Sequence, residues 1–353
     1  MVRIYVAAAI AVIMTCVGVR AHSDVFNMPN GLTSLEMVLV GDSGNAPDVR
    51  NGHGAVNYTY RMGKFEITAG QYTDFLNAKA VSDPYGLYNT DMAKVNVYGC
   101  NICRSGDSGS YTYSIDSDWA NRPVNYVSYW DACRFVNWLN NGQGSGDTET
   151  GAYTLNGYNG NDGRTIARNS EAKWFLPTQD EWYKAAYYKG NGNDAGYWSY
   201  PTQSDSAPSN QLVTPDDGNN ANFSIIDSDG YHDAIGYPYY RTNVGEFENS
   251  ASAYGTFDQG GNVWEYNEAL IISDNIAFRS NCGGSFLYSS SALNAMDGSY
   301  SLSPNEEILE CGFRVVEAVP EPPTVISIVV GLGLFVFWGF RRLIQKHTRP
   351  ASI

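Results

Sequence analysis

The spacing of apolar residues along the chain predicts three helices. From Thr68 to Lys79, Tyr72, Phe75 and Leu76 recur at helical intervals opposite a polar face. From Ser128 to Asn140, a stripe of Val127, Trp130, Cys133, Val136 and Leu139 follows a serine N-cap and closes on Asn140-Asn141-Gly142. A third helix is predicted from Thr178 to Lys189, where Thr178 caps and Glu181 stands three residues on, the spacing of a capping box. Strand patterns are short: Glu36–Val40, Tyr60–Ile67, Gly283–Phe286 and Gly312–Val316. Long polar stretches, Gly142–Asn169 and Lys189–Asn222, separate them, and no internal repeat is visible. The pattern predicts one irregular, loop-rich α+β domain with little regular structure.

The two ends follow other rules. Residues 1–21 combine an early cation (Arg3), an apolar run from Ile4 to Val19 and the small-residue site Val19-Arg20-Ala21, the order of a secretory signal peptide. At the other end, Val319-Pro320-Glu321-Pro322-Pro323 precedes an apolar run at 324–340, then Arg341-Arg342 and Lys346. The sixteen apolar residues from Val325 to Phe340 rise about 24 Å as a helix, slightly short of a hydrocarbon core. As a transmembrane segment, it would hold its arginine pair on the cytoplasmic side and leave everything upstream outside.

Charge agrees with export. The chain carries 22 basic and 37 acidic residues, a net −15. Setting aside six basic residues and one acidic residue at the two ends leaves 16 and 36, so segment 22–317 carries about −20. Such a surface repels nucleic acid and disfavours anionic membranes, while it tolerates divalent cations and neutral glycans.

Five cysteines follow the signal peptide. Cys133 falls on the apolar stripe and reads as a buried free thiol. Cys282 and Cys311 each precede a strand pattern, a placement that allows a bridge between neighbouring strands. Cys100-Asn101-Ile102-Cys103 lies between glycine-rich turns without a second CxxC to complete a zinc site, which leaves a local disulfide, paired thiols or a redox role open. Elsewhere, His53 and His232 read as surface histidines, and Asp180-Glu181 as helix-start acids rather than a glycosidase pair.

The densest chemistry lies in GGNVWEY at 260–266, where two glycines permit a tight turn and Asn262 and Glu265 offer side-chain oxygens within one turn. Oxygen donors at that density suit a hard cation such as calcium, or a buried turn whose polar groups satisfy one another.

Six segments then fall in order: YRMGKFEIT at 60–68, RPVNYVSYWDA at 122–132, FLPTQDEW at 175–182, GGNVWEY at 260–266, GGSF at 283–286 and GFRVV at 312–316. This order resembles the formylglycine-generating enzyme (sulfatase-modifying factor) family, over about residues 32–317. The resemblance implies a single irregular, loop-rich domain related to the C-type lectin-like fold. Active members oxidise a cysteine of a sulfatase with copper and molecular oxygen, through two cysteines just beyond the Gly-Gly-Ser segment. Here those positions hold Tyr288 and Leu293, so neither offers the soft thiolate that suits Cu(I), and copper is not expected. Two places before Gly312, where the enzymes carry an asparagine, stands Glu310.

The same resemblance implies two calcium sites. One maps onto Asn262 and Glu265 with the carbonyls of Gly261 and Val263; the other onto Asn222 and Phe223 with Asp229 and Tyr231 of Asp229-Gly230-Tyr231. The C-terminus, 319–345, resembles a PEP-CTERM sorting signal, which implies a bacterial protein handled by exosortase-type machinery. Together these readings describe an exported, calcium-stabilised, non-catalytic binding or structural module at the cell surface or in the extracellular matrix. Its expected ligand is an extracellular polysaccharide or protein, with no nucleic acid partner, and its C-terminal segment sits in the membrane before sorting. The alternative is a formylglycine-generating-type oxidoreductase acting on protein cysteine, with Cys100 and Cys103 as its candidate thiols.

Overall fold

Capping chemistry fixes the helices of the computed structural model, which describes Phe26 and residues 28–319. Helix α1 (Ala69–Lys79) starts at Thr68, whose hydroxyl accepts from the Gln71 amide while Gln71 returns a bond to the cap backbone. After the single turn α2 (Ser117–Ala120), α3 (Tyr129–Asn140) and α4 (Gln179–Tyr187) open with the same reciprocal box, Ser128 with Asp131 and Thr178 with Glu181. Helix α4 ends two residues before the predicted limit, because Tyr188 is already extended.

The strands form two four-stranded sheets and two small hairpins. In the first sheet, β1 (Met37–Val40) pairs with β2 (Tyr60–Gly63), and β12 (Val316–Ala318) lies between β2 and β5 (Trp174–Phe175). The end of the domain is thereby stitched into its beginning, with Val316 opposite both Met62 and Phe175. The second sheet runs β10 (Ser299–Leu302), β9 (Ile276–Cys282), β8 (Trp264–Ser273) and β11 (Cys311–Gly312), with β11 parallel to β8. Hairpins β3–β4 (Cys103–Ser105, Thr112–Ser114) and β6–β7 (Ser224–Asp227, Gly230–Asp233) complete the set. Helices α1 and α3 meet through aromatic rings: Phe135 lies 5.3 Å from both Phe75 and Phe313. Such pairs add about 0.5–1.5 kcal/mol each beyond area burial.

Three predicted strands change. The Tyr60 strand stops at Gly63, after which Ile67 N–H bonds to Phe313 O at 2.9 Å. Gly283–Phe286 is a turn, with φ of +99° and +79° at its glycines. Gly312–Val316 divides between β11 and β12, leaving 313–315 irregular. The longest strand pair, β8–β9, has no counterpart in the apolar pattern, because the first four residues of β8 are buried on both faces and the last three are exposed. A bulge between Tyr266 and Leu270 interrupts its register.

Among the described residues, no helix is long and apolar enough to cross a membrane. The signal peptide at 1–21, the transmembrane segment at 324–340 and nearly all of the PEP-CTERM signal lie outside the described residues.

Candidate functional site

The Gly260–Tyr266 turn joins two parts of the chain by a parallel bridge between Asn222 and Gly261. Gly261 has φ of +95°, and a Cβ there would stand 2.2 Å from the Asn222 carbonyl oxygen, so only glycine fits. Asn262, itself at φ +54°, places its N–H on Asn222 O at 2.8 Å. Its Oδ1 accepts from Asn222 Nδ2 (2.7 Å), the Thr242 amide (3.0 Å) and the Thr242 hydroxyl (3.1 Å). The side chain is therefore a staple between two loops, with its acceptor already engaged.

Glu265, expected from the sequence as a cation ligand, has protein donors on both of its oxygens. Arg314 Nε donates to its Oε2 and Arg314 Nη2 to its Oε1, each at 2.5 Å, while Trp182 Nε1 donates to Oε2 at 2.7 Å. Both oxygens are committed, and both side chains are almost fully buried. Arg314 reaches this position because β11 ends at Gly312, which frees it to bond also to the carbonyls of Gly63 (3.0 Å) and Phe257 (2.9 Å). A fork-to-fork guanidinium–carboxylate pair of this kind satisfies itself without an ion. Beside it, burial first and Asp258 second push the Glu66 carboxyl well above its ordinary value, and neither Glu66 oxygen has a partner.

The second predicted set is divided by the β6–β7 hairpin. Asn222 and Phe223 are buried at its base, whereas Asp229 and Tyr231 are exposed around its tip, roughly 10 Å of strand away. Phe223 O accepts from Asn210 Nδ2 at 3.1 Å. The acid that returns to the base is Asp233, the register partner of Ser224. Asn222 Oδ1, Ser224 Oγ and Asp233 Oδ1 are all buried atoms without a hydrogen-bond partner. Strand alternation puts residues 222 and 224 on one face, and a cross-strand partner shares that face. An amide, a hydroxyl and a carboxylate oxygen make a donor set that fits calcium. The Asp233 position is legible in the sequence only once the hairpin is known. Among the described residues, no group of three or more His, Cys, Asp or Glu side chains converges, so a cation here would draw on the single Asp233 carboxylate with amide, hydroxyl and backbone oxygens.

Tyr288 and Leu293 have different fates. Leu293 is fully buried, while half-buried Tyr288 packs edge-on to Trp264 at 5.3 Å and points its hydroxyl at Glu310 Oε1, 3.4 Å away. Tyr300 stacks on Trp264 at 5.8 Å, and Tyr98, Tyr240 and Phe286 form a second aromatic group. Burial raises the Tyr288 phenol to about 12 and also lifts the Glu310 carboxyl.

All five described cysteines are free thiols. Cys133 is buried as expected. Cys282 and Cys311 cannot bridge as their sequence placement allowed: they sit opposite Glu265 and Trp264, successive residues of β8, and so face opposite sides of the sheet. Cys100 is buried and Cys103 exposed, with no bond between them.

The family described as "Sulfatase-modifying factor enzyme 1-like domain" matches residues 36–319. No protein of curated function matches the chain. Among solved structures, CarF is similar at 20% identity, covering 81% of this chain and 99% of that one with a TM-score of 0.45. PvdO from Pseudomonas aeruginosa is similar at 14% identity, covering 83% and 100% with a TM-score of 0.46. Treponema denticola variable protein 1 is similar at 15% identity, covering 82% and 97% with a TM-score of 0.44.

Proposed function

The chain belongs to the sulfatase-modifying factor enzyme 1-like domain family, and on that premise we propose that it is an exported, non-catalytic binding or structural module. The observation that carries this reading is the identity of Tyr288 and Leu293 at the two positions where the active enzymes hold copper by thiolates. Leu293 is sealed in the core and Tyr288 belongs to an aromatic face, which supports a contact role rather than thiol chemistry at these two positions. The signal peptide and the PEP-CTERM-like tail support export and exosortase-type sorting to the cell surface or matrix, where an extracellular polysaccharide or protein is the proposed ligand. Calcium is proposed as a structural ion on Asn222 and Asp233, where it would neutralise the carboxylate and tie the hairpin base to the Gly261 turn.

A formylglycine-generating-type oxidase would take Cu(I) through exposed paired thiols. Titration of the full chain with Cu(I) against a competing chelator tests the proposal. The expected result is no stoichiometric, thiol-dependent uptake. Tight uptake abolished by Cys100→Ser or Cys103→Ser would replace the binding reading with the oxidase one.

A further inference from the structure

Arginines converge on one cavity in this acidic chain. The cavity, about 200 Å³, lies between the start of α3, the 164–168 loop and the bulged part of β8 with β9. Arg279 stacks its guanidinium 4.4 Å over the Tyr129 ring and spends its terminal nitrogens on carbonyls, Nη1 on Glu268 O (2.7 Å) and Nη2 on Gly163 O and Ile166 O (3.0 Å each). Its Nε–H has no acceptor, and the residue is 3% exposed. The Tyr129 hydroxyl, on a fully buried residue, also has no oxygen or nitrogen partner; the Cys133 thiol lies beside it, and thiols are weak hydrogen-bond partners.

Two buried donors without acceptors in one pocket are costly, about 1–3 kcal/mol each, unless something brings oxygen to them. Arg164 is paired with Asp162 at 2.6 Å and Arg168 with Glu268 at 2.6 Å and Glu181 at 3.2 Å, whereas the bonds of Arg279 go to carbonyls, so Arg279 is the lining cation left to meet an anion. Ile166 and Leu270 supply apolar wall. The volume falls below the ~300–1,000 Å³ of drug-sized sites and exceeds what a bare inorganic ion needs.

We infer that this cavity binds a small organic carboxylate with a compact body of hexuronate size, its two oxygens received by Arg279 Nε–H and the Tyr129 hydroxyl. A planar carboxylate can accept from both donors at once, and its body then rests between Ile166 and Leu270. The carboxylate can belong to a free acid or to a uronate residue of an acidic polysaccharide. The site shares no lining residue with the Tyr288 face, so the copper titration does not bear on it.

Calorimetry on the full chain with D-glucuronate, polygalacturonate, acetate and glucose tests the inference. Glucuronate is expected to bind saturably with Kd below about 1 mM, and glucose not to bind. Polygalacturonate binding as well identifies a glycan uronate, and its failure identifies a free acid. Tyr129→Phe, which keeps the stacked ring and removes an unpartnered hydroxyl, is expected to weaken glucuronate at least about tenfold without lowering the melting temperature of the unliganded protein. Rim variant Arg164→Gln is expected to weaken it less. Absence of glucuronate binding, equal binding of glucose, acetate binding without glucuronate, or unchanged affinity in Tyr129→Phe would each overturn it.

Discussion

The Glu265 turn and the Asn222–Asp233 hairpin base are neighbours across the Asn222–Gly261 bridge, yet they treat polar atoms in opposite ways. Both oxygens of Glu265 itself have donors, and Arg314 closes the circuit with two backbone carbonyls, although the neighbouring Glu66 carboxyl has no partner. At the hairpin base, an amide, a hydroxyl and a carboxylate oxygen are buried with nothing to accept from. The first arrangement is complete without a ligand and holds the scaffold. The second leaves buried oxygens unpartnered, which is where the proposed calcium ion would contribute. Oxygen-rich residues near one turn thus serve two purposes, and partner accounting separates them where composition does not.

The largest effect that could break this contrast comes from Glu265→Ala. It leaves Arg314 buried and uncompensated, so a loss of about 3–5 kcal/mol is expected by chemical denaturation. A loss below about 1 kcal/mol would mean that the pair does not hold the scaffold.

A second test uses an acid whose burial is only partly compensated. Burial, then Asp131, pushes Glu307 up to about 8 from an ordinary 4.5, although Asn89 Nδ2 donates to it at 2.6 Å. A raised carboxyl favours the folded state when protonated. Its contribution is full below pH 4.5 and is lost as pH rises through about 8. Stability should fall across that window by up to about 5 kcal/mol, and Glu307→Gln should flatten the profile. An unchanged slope in the variant would assign the pH dependence elsewhere.

Much of the scaffold was legible in the sequence because local chemistry writes it. Thr68, Ser128 and Thr178 cap helices where their side chains say so, and the ordered motifs fixed the family resemblance. The β8–β9 hairpin was not visible in apolar periodicity, since Trp264 to Asn267 are buried on both faces. Its best signal was the turn Asp274-Asn275, both at positive φ, between two strand-length runs. The site was half legible. Asn222 and Asn262 come together, but Arg314 claims Glu265 from 49 residues away, a pairing that no local spacing reveals. The Asp-Gly-aromatic motif points to Asp229, whereas strand register returns Asp233 to the base.

The smallest effect sharpens the comparison from the other side. Tyr129→Phe removes a buried hydroxyl that, like the oxygens at the hairpin base, has no oxygen or nitrogen partner. Without ligand its stability should rise by about 1 kcal/mol, the low end of the cost of a buried unpaired donor. A loss above about 1.5 kcal/mol would show that the hydroxyl has a partner in the folded protein.

The account rests most directly on the melting temperature with and without a calcium chelator, measured for wild type, Asp233→Ala and Asp229→Ala. The account predicts that wild type and Asp229→Ala fall by the same amount on chelation, while Asp233→Ala starts lower and does not respond. No response in wild type, or a response abolished by Asp229→Ala and kept by Asp233→Ala, would contradict it.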